Sequence, residues 1–259
     1  MLLTLDQVVI LPEVPRRSGA FGISEEGLLI DEVTLFLEER GSLGLVGDER
    51  SGKLSLVLAI LGLIPISGGS ILWHGKDCGK TSERQRRPMR QRIQTVFAES
   101  WGQLPPDRTI RRSFEEVLGL WFARENRTEW ETRIEAAMVA CGLTEALRDL
   151  RPRELDAVER QQAALARALL AEPDLIICHE WLSGLDGVSQ AELLNLLNRI
   201  REDRPPALLF CCDDLAAAHQ VSDTLGILHR GRLLEFGAAE SLVTRPEHDY
   251  TRRLISCAG

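Results

Sequence analysis

The sequence predicts an α/β fold, with a mainly parallel core sheet covered by helices on both faces and a helical subdomain inserted in the middle. In the second half, the wholly apolar runs within "DLIICHE" and "ALLFCCDD" alternate with helix-length runs. In the first half, "GSLGLVG" reads as a strand that turns into "LSLVLAILGL", a run suited to a buried helix. Between them, from roughly Thr109 to Leu150, the apolar spacing becomes helical.

Each element follows from local signals. Up to about residue 90, short apolar runs alternate with turn residues, as in "GGSILWHGK". Gly62 and Pro65 end the first helix. "TEWETRIEAAMVACGL" puts Trp130, Ile134, Met138 and Cys141 on one face, with Thr128 and Glu131 as the expected capping box and Gly142 as the stop. "ERQQAALARALLAEP" predicts a helix closed by Pro173, and "SQAELLNLLNRIRE" a second, amphipathic one. "LGILHRGRLLEFG" predicts two strands about an Arg-Gly turn.

Bulk properties narrow the function. A chain of 259 residues with 44% hydrophobic and 27% charged residues has an ordinary globular composition. A net charge of −8 gives no support to nucleic-acid binding. The longest apolar stretch, "LSLVLAILGLIPI", is too short to span a bilayer, and "MLLTLDQVVILPEVPRR" lacks the pattern of a secretory leader. The six cysteines follow no metal spacing and are expected to be reduced, in a cytosolic protein.

The stretch "LGLVGDERSGKLS" carries the chemistry. Gly47, Gly52 and Lys53 fit the frame G-x-x-x-x-G-K-[ST], in which backbone N–H groups and a helix N-terminus hold phosphates. Leu54 stands where a hydroxyl should ligate magnesium, and Ser55 lies about 100° further round the helix. Asp48 and Glu49 add negative charge where an anion should sit, and Arg50 is bulky for such a loop. Arg50 either fills the pocket, paired with Asp48, Glu49 or Glu180, or points to solvent. The alternative for the whole stretch is a strand–turn–helix junction that keeps its glycines for backbone reasons.

The segment "RELDAVERQQAALARALLAEPDLIICHEWLSGLD" resembles the signature-to-Walker-B region of ABC ATPases: L-S-G-G-Q-x-Q-R, then A-R-A-L, four apolar residues with D-E, and S-x-L-D. "IQTVFAESWGQLPPDRTI" is similar to the Q-loop region of that family's peptide/nickel importer branch. "RPEHDYTRRL" is similar to the branch's P-x-H-P-Y-T-x-x-L tail. The resemblance covers nearly the whole chain, in order. It implies one ABC-type nucleotide-binding domain with an antiparallel β-subdomain. Its expected parts are a β-rich and phosphate-loop part over 1–98, a helical subdomain over 99–155, a second core half over 156–232 and a tail over 233–259. It also implies a head-to-tail dimer, ATP with Mg2+ between the chains, and permease subunits that hold the protein at the inner face of the cell membrane.

The resemblance assigns Gly47, Arg50, Ser51, Gly52, Lys53, Leu54 and Ser55 to the nucleotide loop, Glu180 to the general base, and Ser183 with Asp186 to the D-loop. Other positions depart from the pattern. An adenine-stacking aromatic is absent near Leu11 or Pro12. Ala98 replaces the Q-loop glutamine; Asp156, Ala157 and Val158 replace the signature serine and glycines; His179 replaces the Walker B aspartate; and Asp213 replaces the switch histidine. Asp156 with Glu159 would form a capping box for a helix beginning at Ala157. The interchanged types at His179 and Asp213 suggest an imidazole–carboxylate pair or plain drift; a metal site with Glu180 and Cys212 is a further alternative.

The expected function is therefore a pseudo-ATPase subunit with little or no hydrolysis, doubtful Mg2+ and at most weak ATP binding, paired with an active paralogue. Trp101, Trp121, Trp130 and Trp181 would be its contact anchors if exposed. The rivals are an active transport ATPase relying on Lys53 and Glu180, and a soluble scaffold or regulator.

Overall fold

The computed structural model describes residues 1–11, 30–79, 81, 83–98, 103–202 and 206–257. Pro12 and Trp101 lie outside them. The chain divides into two compact units, one of residues 1–86 and 209–259 and the other of residues 87–208. These limits differ from the sequence-based segmentation: one falls inside a helix, the other inside a strand.

The first unit holds an antiparallel sheet with the strand order β2-β1-β4-β5, built from β1 (Leu3–Ile10), β2 (Ile30–Leu37), β4 (Gly68–Trp73) and β5 (Lys76–Asp77). Val33, Leu35 and Leu37 are buried between exposed neighbours on β2, the period of a strand with one face on a core. Gln7 and Glu32 adopt left-handed backbone, and the β1–β2 register shifts between Leu5 and Val8. Gly69 packs so closely on β1 that a Cβ would strike the carbonyls of Asp6 and Gln7.

Beside it, β3 (Ser42–Val46), β8 (Ala207–Cys212), β9 (Thr224–His229) and β10 (Arg232–Ala238) follow the order β10-β9-β3-β8. β3 and β9 are parallel, and β3 and β8 are buried along their whole length, which is why neither shows a period of two. Ser42 and Asp223 lock the two parallel strands at their start: the Ser42 hydroxyl donates to the Asp223 carboxylate at 2.6 Å and accepts the Asp223 N–H at 2.8 Å. The Arg230-Gly231 turn has positive φ at both residues, as a tight hairpin requires. The helices of this unit are α1 (Lys53–Ile60), α7 (Leu215–Val221), α8 (Ala239–Thr244) and α9 (Asp249–Cys257).

The second unit pairs β6 (Ile93–Phe97) with β7 (Leu175–His179) in parallel. Around them stand α3 (Ile110–Trp121), α4 (Arg127–Ala140), α5 (Ala157–Leu169) and α6 (Gly187–Glu202). Phe114, Leu118, Ile134, Met138 and Cys141 are buried. Burial also pushes the Cys141 thiol far up. The Arg133 guanidinium grips both oxygens of Glu125 and lies 4.1 Å over the Phe122 ring. That pairing holds the Glu125 carboxyl below its usual range.

Two expectations need correction. The capping box of α4 is Asn126 with Glu129, not Thr128 with Glu131. Asn126 Oδ1 accepts the N–H groups of Thr128 and Glu129 at 2.9 and 3.1 Å, while Glu131 pairs with Arg111 and Arg148. Trp181 is fully buried and offers no contact anchor; Trp121 and Trp130 are half-buried. The helix α2 (Glu83–Arg92), which carries Pro88 in its interior, was not legible in the sequence. Its first turn is anchored by Arg86, which donates to the carbonyls of Gly62 and Cys78, each at 3.2 Å.

The Asn126 cap yields a direct test. Asn126→Ala lowers unfolding free energy by about 1 kcal/mol in a urea titration, whereas Thr128→Ala changes it by less than about 0.5 kcal/mol.

Candidate nucleotide site

The phosphate loop belongs to the first unit and follows β3 directly. Gly47 is packed so tightly that a Cβ would collide with the Leu228 carbonyl and with Ser51. Gly52 has φ 105, and a Cβ there would strike Ile30. The backbone is pinned on both sides: Gly47 N–H donates to Cys212 O at 3.2 Å, and Gly231 N–H donates to Ser51 O at 2.8 Å. Both glycines thus answer to close packing.

Inside the loop, donors turn back onto the chain. Lys53 is only 3% exposed. Its ammonium donates to the carbonyls of Gly47 and, at 2.9 Å, Asp48. The Asp48 carbonyl also accepts the Ser51 N–H at 3.1 Å and the Ser51 hydroxyl at 2.7 Å. Hydrogen bonds from a charged donor contribute roughly 1.5–3 kcal/mol each, so a phosphate that recruits Lys53 must replace two of them.

The helix behind the loop retains part of an anion site. Gly52 caps α1 with no side-chain hydrogen bond, which leaves the first-turn N–H groups without intrahelical partners. Leu54 is 46% exposed at the position where a hydroxyl would meet a metal, and Ser55 is half-buried one residue on. The Leu54 side chain itself offers no oxygen to a metal ion. Arg50 is exposed, and its backbone N–H donates to the Asp48 carboxylate at 3.0 Å. Asp213, also exposed, follows β8, and its neighbour Asp214 caps α7 through the N–H groups of Ala216 and Ala217.

The second unit contains the remaining motif positions. β6 and β7 run in register as far as Phe97 and His179, whose rings lie 5.8 Å apart. Ala98 N–H donates to His179 O at 3.1 Å, and Ala98 O accepts from the buried Gln161 Nε2 at 2.7 Å. The backbone of the Q-loop position is thereby bonded to α5. Glu180, half-buried just after β7, holds left-handed backbone with φ 50, a conformation that costs a non-glycine residue about 1–3 kcal/mol and collects at functional sites.

The start of α5 is closed by its own side chains. Asp156 Oδ1 accepts the Glu159 N–H at 2.8 Å, and Glu159 Oε2 accepts the Asp156 N–H at 2.9 Å. Asp156 and Ala157 are exposed, and Val158 is half-buried. A carboxylate cap contributes about 1 kcal/mol, as much as an anion docked at a helix end, so this end gains little from a phosphate. In the D-loop segment, Ser183 is exposed and Asp186 caps α6 through Val188, Ser189 and the Ser189 hydroxyl. Those bonds, first the one from the Ser189 N–H, lower the Asp186 carboxyl below its usual range. Among the described residues no group of three or more His, Cys, Asp or Glu is placed to hold a metal ion.

Residues 30–183 match the family model for the ABC transporter. The oligopeptide transport ATP-binding protein OppF of Escherichia coli (strain K12) is 34% identical over 227 residues, covering 88% of this chain and 68% of that protein. OppF of Lactococcus lactis subsp. lactis is 30% identical over 243 residues, covering 93% and 76%. The chain belongs to the ABC transporter family, as an ATP-binding subunit of its peptide-importer branch. Solved cassettes share the fold. One is cbiO1 from Clostridium perfringens, part of the cbiONQ complex, with a TM-score of 0.81, 19% identity and 95% and 92% coverage. Another is the dimeric MJ0796 cassette bound to ADP and Pi, with a TM-score of 0.75, 18% identity and 92% and 98% coverage.

The self-cap of α5 is testable by substitution. Asp156→Ala lowers stability by about 1 kcal/mol in chemical denaturation, and Asp156→Ser, which restores a hydroxyl cap, retains most of it.

Proposed function

We propose that this subunit is a pseudo-ATPase: a peptide/nickel-type cassette that contributes dimerisation and permease coupling rather than turnover. The observation that carries the reading is the internal bonding of Lys53, whose ammonium is held by its own loop's carbonyls. The self-capped start of α5 supports it from the other motif, since both the loop and the signature have been altered. Phosphoryl transfer relies on positioned charge around the terminal phosphate. Here the metal-ligating hydroxyl, the Walker B aspartate, the Q-loop glutamine and the switch histidine are Leu54, His179, Ala98 and Asp213. These positions serve one constellation, so their losses do not add as independent penalties.

The proposed partner is a paralogous, active ATP-binding subunit, and the assembly engages transmembrane permease subunits through the helical region. Among the described residues, no helix is long and apolar enough to cross a membrane. The proposed location is therefore the inner face of the cell membrane, through the permease. The rival, an active subunit, draws on two observations: α1 has no side-chain cap and Glu180 is retained after β7. ATP at such a site would be held through its phosphates, with little help from Mg2+.

Nucleotide-dependent stabilisation separates the two readings. Ligand binding raises stability by RT ln(1 + [L]/Kd). The expected outcome is a Tm rise below about 1 °C at roughly 1 mM ATP with Mg2+, a ligand concentration near or below Kd. Phosphate release should equal that of Glu180→Gln. A large magnesium-dependent shift, or release that Glu180→Gln abolishes, would establish the active subunit instead.

A further inference from the structure

A cavity of about 720 Å3 opens in the second unit, where the ends of α4, α5 and α6 meet. Among the described residues, none that lines it belongs to a nucleotide motif. Small residues make the room. On α4, Ala136, Ala137 and Ala140 offer one methyl each, and Gly142 turns the chain away in left-handed backbone. Leu169 and Leu170 at the end of α5, with Ile200 of α6, supply apolar walls. Val139, a further lining residue, is 72% exposed. The volume falls within the roughly 300–1,000 Å3 that small-molecule sites occupy.

Three ionised side chains line the cavity: Arg133, Glu172 and Arg199. The first two are engaged, because Arg133 pairs with Glu172 and also closes on both oxygens of Glu125. Arg199, exposed in the last turn of α6, has neither a hydrogen bond nor an ion pair among the described residues. The helix ends carry the negative pole of their dipoles, which by itself favours a cation. Their carbonyls, however, already have donors: Gly142 N–H donates to Val139 O at 3.1 Å, Leu143 N–H to Met138 O at 2.9 Å and Glu172 N–H to Leu169 O at 2.9 Å. A dipole end typically changes ligand affinity by about fivefold or less and fades within a turn. A guanidinium–carboxylate hydrogen bond changes it by about tenfold or more. The free guanidinium decides the sign.

We propose that this cavity binds a small amphipathic carboxylate of the medium-chain fatty-acid class. Arg199 takes the carboxylate, and the aliphatic body lies on the alanines of α4 against the leucines of α5. The class follows from the lining: among the described residues it has no hydroxyl, amide or imidazole side chain to meet polar groups along a ligand's body. A peptide, with an amide at every residue, would leave those groups unpaired; an alkyl chain has none. The inference is independent of the pseudo-ATPase reading, since it uses no residue of the nucleotide site.

The experiment titrates the full chain with sodium octanoate by calorimetry, with octylammonium chloride as the probe of opposite charge and equal chain length. Octanoate should bind with a roughly millimolar Kd, and octylammonium about tenfold more weakly. Arg199→Gln should weaken octanoate about tenfold while the Tm of the free chain stays within about 1 °C. Arg153→Gln, which removes an exposed charge before the start of α5, should leave binding unchanged. Ala140→Phe, at an exposed helix position, fills the cavity and should abolish binding, with far-UV circular dichroism showing an intact fold. Octanoate binding that survives either Arg199→Gln or Ala140→Phe undiminished would overturn the proposal, as would octylammonium binding of equal strength. So would the absence of binding at about 10 mM octanoate, well above the expected Kd. Concentration-dependent dimerisation that Ala140→Phe abolishes would also overturn it, by giving the cavity to a second copy of the chain.

Discussion

The ammonium of Lys53 is the constraint around which the loop is organised. A buried cation needs acceptors, and the carbonyls of Gly47 and Asp48 serve as such. Gly47 has no room for a side chain, Ser51 closes a turn onto Asp48, and Gly52 supplies a backbone angle other residues avoid. The loop thus forms a ring of donors and acceptors. Its rigidity also rests on β8 and the β9–β10 hairpin, which bond its two ends.

The second unit is likewise rich in internal caps and ties. Asp156 and Glu159 close α5, Asp186 closes α6, and Gln161 ties α5 to the backbone at Ala98. Glu180 is the residue that keeps both the family identity and an uncommon backbone conformation.

Much of this was legible in the sequence because it is local. The Asp156–Glu159 box, the stop at Gly142 and the wholly apolar strands depend on residues a few positions apart, and the structure contains all of them. The cap of α4 was not, since both Asn126-x-x-Glu129 and Thr128-x-x-Glu131 satisfy the same pattern. The choice rests on Glu131, which is engaged by arginines from elsewhere. Helix α2 escaped notice because Pro88 reads as a breaker and Met89 is its buried apolar residue; the anchor, Arg86, acts on a distant turn.

The box at the head of α5 has an electrostatic consequence of its own. An uncapped helix presents roughly half a positive charge at its first turn. Here that turn carries two carboxylates, Asp156 exposed and Glu159 half-buried. These carboxylates offset the helix dipole, so this turn offers a polyanion less attraction than an uncapped helix end does.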